Sequence, residues 1–198
     1  MIKVAVTGGI GSGKSTVIGL IENEGYKCVS ADGIYAEMLD DERFVENLSD
    51  YMNIEPKIVN GKKVLDRKKL ADVVFNDKSK LKKLDEYTHP LIMNSLIERM
   101  NSFVGEKIVF AEVPLLFEGG FESLFDCVIV VEREYESRVL STMLRDGKTR
   151  EEVERIIARQ SVGKSAVDDK IFLVENNGST EALFAAIKDL ICKILETR

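Results

Sequence analysis

Residues 8–15 read Gly8-Gly9-Ile10-Gly11-Ser12-Gly13-Lys14-Ser15 and follow a short apolar run, 2–6. The spacing is G-x-x-x-x-G-K-[ST], set between a strand signal and a helical stretch, 16–22, which is the context a phosphate-binding loop requires. Glycines let successive backbone N–H groups curl around a polyphosphate, and the helix that follows adds the positive end of its dipole. Lys14 brings a mobile point charge to the β/γ oxygens, and Ser15 offers a hydroxyl to Mg²⁺. Gly11, Ser12, Gly13, Lys14, Ser15 and Thr16 are therefore the expected contacts of a bound ATP. A GTPase would add N-K-x-D and D-x-x-G, and neither occurs in the chain. A dinucleotide fingerprint starting at Gly9-x-Gly11 would need glycine where Lys14 stands.

Three further side chains have the type and placement for phosphoryl transfer. Asp32 comes at the end of the second apolar run, in Val29-Ser30-Ala31-Asp32. A carboxylate at a strand end beside the phosphate loop can accept the proton of an attacking hydroxyl; capping of the following helix is the structural alternative. Glu112 closes the run Ile108-Val109-Phe110-Ala111, where an acid would hold a Mg²⁺-bound water. Arg145, in Leu144-Arg145-Asp146-Gly147, is the expected cation on the nucleotide phosphates, with an exposed helical ion pair as its alternative. His89-Pro90 reads as a helix start, with Pro90 in the first turn and His89 capping it.

Alternating signals must position these groups. Strands are expected at 3–6, 26–30, 107–113, 127–132 and 170–174, and helices at 14–24, 81–88, 91–104, 133–145, 150–160 and 180–196. Runs such as Val128-Ile129-Val130-Val131 are apolar throughout, as burial on both faces of a parallel sheet demands. The pattern predicts an α/β fold, a three-layer sandwich with a doubly wound parallel sheet. One interval breaks the alternation. More than seventy charged, helix-rich residues with no good strand separate the second and third strands, with a turn at Asn60-Gly61. A structureless loop of that size is improbable. The expected organisation is one domain over 1–198: a nucleotide-binding core from 1–32 and 89–198, an inserted helical subdomain at 33–88, and a mobile arginine-bearing segment at 138–165.

The 198 residues carry a net charge of −6, which argues against a nucleic-acid partner. Three scattered cysteines and one histidine make a Cys/His zinc site improbable and suit a reducing cytoplasm. No secretory h-region opens the chain, and no apolar run approaches the roughly 18 residues of a membrane span.

The ordered set of motifs resembles the dephospho-coenzyme A kinase family almost end to end. It comprises the phosphate loop, Ala31-Asp32, Asp66-Arg67 with Leu70 and Phe75, His89-Pro90-Leu91-Ile92, Val113-Pro114-Leu115-Leu116-Phe117-Glu118, Arg145-Asp146-Gly147, Gln160 and Glu175-Asn176-Asn177-Gly178. The loop is common to P-loop proteins; His-Pro followed by Val-Pro-Leu-Leu-Phe-Glu is the specific part. The resemblance implies ATP-dependent phosphorylation of the ribose 3′-hydroxyl of dephospho-CoA, with ATP and dephospho-CoA as the partners. It further implies that Asp32 is the base, that His89 lies on the substrate side, that 33–88 is the CoA-side subdomain and that 138–165 is a lid. Ser30, Arg138 and Ser141 depart from the family's usual residues. Another small-metabolite or nucleoside kinase of this architecture, or an inactive ATP-binding regulator, remains open at this level, as does oligomeric state.

Overall fold

The computed structural model describes residues 1–75, 77–160 and 169–197. In chain order the elements are β1 (Ile2–Thr7), α1 (Lys14–Asn23), β2 (Lys27–Ser30), α2 (Ala31–Met38), α3 (Glu42–Met52), β3 (Lys57–Val59), β4 (Lys62–Val64), α4 (Arg67–Phe75), α5 (Lys78–Asn101), β5 (Ile108–Glu112), α6 (Leu116–Gly119), β6 (Cys127–Glu132), α7 (Tyr135–Asp146), α8 (Arg150–Arg159), β7 (Ile171–Glu175) and α9 (Thr180–Thr197). Contacts divide them into two compact units, Met1–Ser30 with Arg99–Arg198, and Ala31–Glu98.

The first unit holds a five-stranded sheet in the order β2-β5-β1-β6-β7, parallel throughout. Alternate residues explain the continuous apolar runs. Val4, Val6, Ile108 and Phe110 pack into one core with Val17 and Ile21 of α1 and Ile187, Ile191 and Ile194 of α9. Ala5, Val109, Ala111 and Val130, which point to the other face, are equally buried. Both faces are thus covered, as the three-layer reading requires. The chain runs from β1 outward to β2, returns to β5, then crosses to β6 and β7. Strand order therefore reverses around β1, and ligands of such sheets sit beyond the carboxyl ends at that reversal.

The second unit has its own core of Leu39, Val45, Leu48, Met52, Ile54, Leu65, Leu70 and Val74. Two features differ from the sequence expectation. First, the interval is not wholly helical: β3 and β4 form an antiparallel hairpin around Asn60 (φ 52°) and Gly61 (φ 79°). Two successive positive φ values give the turn whose twist matches paired strands, and Asn-Gly supplies them. Second, His89 and Pro90 do not start a helix. They lie inside α5, which runs unbroken through Pro90. Proline removes one backbone bond, yet Thr88, Met93 and Leu96 on either side of it are buried, and that burial offsets the loss.

Candidate active site

The phosphate loop leaves the carboxyl end of β1 at the centre of the sheet, and Gly13 leads directly into α1. Lys14, first residue of that helix, curls back so that Nζ donates to the Gly8 and Gly9 carbonyls at 2.9 and 3.1 Å. The ammonium thus lies over the loop's own oxygens, where phosphate oxygens would compete for it. Ser12 is buried, while Ser15 and Thr16 stand exposed in the first turn of α1. Beside β1 runs β5, whose last residue, Glu112, pairs in register with Val6 on one side and Ser30 on the other. Ser15 Oγ donates to Glu112 Oε1 at 3.0 Å.

That pair is the test of a metal. A hydroxyl and a carboxylate are hard oxygen donors of the kind Mg²⁺ accepts, and Mg²⁺ normally keeps several waters and uses few protein ligands. No group of three or more His, Cys, Asp or Glu side chains suited to a metal occurs among the described residues. The hydroxyl and carboxylate donors therefore fit Mg²⁺.

Side chains distant in sequence hold the loop backbone. Ile10 N–H donates to Gln160 Oε1 at 2.7 Å, just beyond α8. Ile10 C=O accepts from Arg138 Nε of α7 at 3.0 Å. Ser12 C=O accepts from Asn176 Nδ2, directly after β7, at 2.9 Å. A Cβ on Gly11, where φ is +73°, would strike the Arg138 carbonyl and come within 2.7 Å of Thr142 Oγ1, so α7 packs against bare backbone. Burial pulls the Arg138 guanidinium below the usual arginine range, and the charges of Tyr135 and Glu132 draw it back up. Arg138 Nη2 is buried with no partner among the described residues. Gly8, Gly9, Pro114, Glu118 and Gln160 line a small open pocket on the loop.

A family model described as Dephospho-CoA kinase (CoaE) matches residues 2–182. The chain belongs to the dephospho-CoA kinase family. Relatives carrying that name include one from Fusobacterium nucleatum, 33% identical over 186 residues, 93% of this chain and 94% of the relative. A second, from Thermus thermophilus, is 35% identical over 197 residues, 98% of this chain and 92% of the relative. Among solved structures, dephospho-CoA kinase from Campylobacter jejuni aligns with TM-score 0.65 at 28% identity, covering 98% of each chain. Shikimate kinase from Acinetobacter baumannii, at 12% identity and TM-score 0.52 over 100% of this chain and 95% of that one, shares the fold alone.

The residues expected from sequence fall into two groups. Gly11, Ser12, Gly13, Lys14, Ser15, Thr16 and Glu112 assemble within the first unit. Arg145, also there, is exposed in the last turn of α7 and paired with Asp146 at 2.7 and 3.0 Å, an ion pair that raises its already high pKa. Asp32 and His89 belong to the second unit. Asp32 is exposed in the first turn of α2, two residues along the chain from Ser30. His89 Nε2 stands 3.5 Å from Asp85 Oδ1, one helical turn back. Of the expected mobile segment 138–165, residues 161–165 lie outside the described residues.

Arg138, Gln160 and Asn176 were not anticipated as loop contacts. Gln160 and Asn176 do stand among the motifs that carry the family resemblance, without a role attached, and Asn176 ends an apolar strand run and Gln160 a helical one, the edges at which α/β sites form. Cys28, beside Phe110 in the sheet register, is not a nucleophile candidate. Burial, then the Glu22 and Glu112 carboxylates, push its thiol up to about 12, and the thiolate is the reactive form.

Proposed function

We propose that this chain transfers the γ-phosphoryl group of ATP to the ribose 3′-hydroxyl of dephospho-CoA, with Asp32 as general base and Lys14 as the cation on the β/γ oxygens. The observation that carries the reading is the Ser15–Glu112 contact at 3.0 Å beside the loop lysine, in a chain of this family. Loop N–H groups and Lys14 bind and orient the triphosphate. Ser15 and Glu112 are the residues that would hold Mg²⁺, the latter through water, and the ion would supply positive charge against the charge that develops on the phosphate oxygens. Asp32 takes the proton of the 3′-hydroxyl as that oxygen attacks, and ADP leaves. Arg145 and His89 are assigned to the nucleotide phosphates and the acceptor side, and 33–88 to the CoA-side subdomain. Among the described residues no helix is long and apolar enough to cross a membrane. Free thiols at Cys28, Cys127 and Cys192 suit a reducing cytoplasm as the place of action.

The direct test is a panel of acceptors with ATP. Phosphorylation of dephospho-CoA at the 3′ position, with none of nucleosides or unrelated small alcohols, supports the assignment; transfer to nucleosides alone, or to nothing, overturns it.

Glu112→Gln tests the metal. Glutamine can keep the bond from Ser15 but loses the charge, so about ten- to a hundred-fold more Mg²⁺ is expected for half-maximal rate. An unchanged Mg²⁺ dependence removes Glu112 from the site.

The segment 138–165 is proposed as the lid. α7 ends at Asp146 with Gly147 as its left-handed cap, and α8 begins with a capping box between Thr149 and Glu152, giving two short helices joined by a tight link. Amide exchange over 138–160 is expected to slow when ATP and acceptor bind together. Equal exchange in free and bound protein leaves α7 and α8 as a fixed wall.

A further inference from the structure

We infer that Arg138 and Asn176 are positioning residues that aim the Gly11 and Gly13 N–H groups at the nucleotide phosphates by holding the Ile10 and Ser12 carbonyls on the opposite side. The inference rests on the phosphate-loop reading and extends it to residues outside the motif.

A trans peptide is planar, and its C=O and N–H point in opposite directions. Fixing one therefore fixes the other. The Ile10 carbonyl shares its peptide with the Gly11 N–H, and Arg138 Nε holds that carbonyl at 3.0 Å. The Ser12 carbonyl shares its peptide with the Gly13 N–H, and Asn176 Nδ2 holds it at 2.9 Å. Two alternate peptides of the loop are thus each held by the carbonyl from outside it, one from α7 and one from the end of β7.

The intervening geometry agrees. The Gly9–Ile10 peptide is held differently, by its N–H: that group goes to Gln160 Oε1 at 2.7 Å, and its carbonyl accepts from Lys14 Nζ at 3.1 Å and from the Ser12 N–H at 3.2 Å. The Ile10 N–H is thereby withdrawn from anion binding, whereas the Gly11 N–H is left to it. Glycine-rich loops can flip such peptides at small cost, because positive φ is open to them; Gly11 and Gly13 have φ of 73° and 95°. An anion nest made of them needs an outside restraint to be preorganised. Arg138 supplies one from a helix that is itself seated, because the Glu134 N–H before α7 donates to Asn177 Oδ1 at 2.8 Å.

The chemistry of the donor gives a sharp test. Counting bonds from Cα, the amide nitrogen of glutamine occupies the place of arginine Nε, whereas the lysine amine lies one bond further out and methionine has no donor. Purified Arg138→Met is expected to bind ADP about ten-fold more weakly, the scale of one lost charge-assisted hydrogen bond. AMP, which has no β-phosphate for the loop, should bind as in the wild type. Arg138→Gln is expected to restore ADP affinity to within about two- to three-fold, and Arg138→Lys to stay impaired. Asn176→Asp, which keeps the shape but turns the donor into an acceptor, should reproduce the selective ADP loss, and it carries the test if Arg138→Met does not fold. Unchanged ADP binding in both loss variants overturns the inference. So does equal weakening of AMP and ADP, or failure of glutamine to restore binding. Wild-type protein that does not prefer ADP to AMP would instead overturn the phosphate-loop reading beneath it.

Discussion

Lys14→Ala is expected to lower turnover by roughly 10²–10³, the cost of removing one preorganised group that stabilises transition-state charge. The ammonium Nζ lies 2.9 and 3.1 Å from the Gly8 and Gly9 carbonyls, so it is held at the loop without contributing to a core. Negative charge on the β/γ oxygens grows as the γ-phosphoryl group leaves. The lysine is therefore worth more in the transition state than in bound ATP, and the loss should fall mainly on kcat. The fold should survive, since Arg138, Gln160 and Asn176 still hold Ile10 and Ser12. Steady-state kinetics with a parallel melting curve checks both halves. Near-normal turnover in the purified variant means the loop does not bind the reacting phosphates.

What could be read from the chain divides along the range of the interactions involved. The central strands β1, β5 and β6 announce themselves because burial on both faces forces nearly uninterrupted Val, Ile and Ala runs, and the alternation with helices marks the edge strands β2 and β7. The β3–β4 hairpin gives no such run. Lys57, Ile58, Val59, Lys62, Lys63 and Val64 are all exposed, so no face of it is selected for apolar residues and only the Asn60-Gly61 turn is visible. Pro90 misleads for a related reason: its local preference is for a helix start, and packing of Met93 and Leu96 outweighs it. In the site, Lys14, Ser15 and Glu112 were legible because each occupies a strand end or motif position. Arg138, Gln160 and Asn176 act on backbone 128, 150 and 164 positions away. A motif records which residues touch the ligand, whereas the side chains that orient the motif are chosen by the fold. Arg138 and Arg145 illustrate this on one helix: the first holds the loop, the second is tied to its neighbour Asp146.

Asp32→Asn separates chemistry from architecture at the other end of the reaction. Asparagine has nearly the same shape as aspartate but cannot take the proton of the attacking 3′-hydroxyl. Loss of a general base costs roughly 10²–10⁴ in rate, and a loose phosphoryl-transfer transition state, in which positioning dominates, places the expected loss at the lower end. The surroundings of Asp32 sharpen the alternative. It is exposed in the first turn of α2, where a negative charge is favoured by the helix dipole; neutralising it there costs about 0.3–1 kcal/mol. A purely structural aspartate therefore predicts a slightly lower melting temperature with turnover intact. A base predicts the same slight change in melting but turnover lost, with ATP bound as before, because Lys14, Ser15 and the loop amides do not involve Asp32. Measuring turnover, melting and ATP affinity on the one variant distinguishes them. Wild-type turnover would remove Asp32 from the mechanism and leave it as a helix-terminal acid.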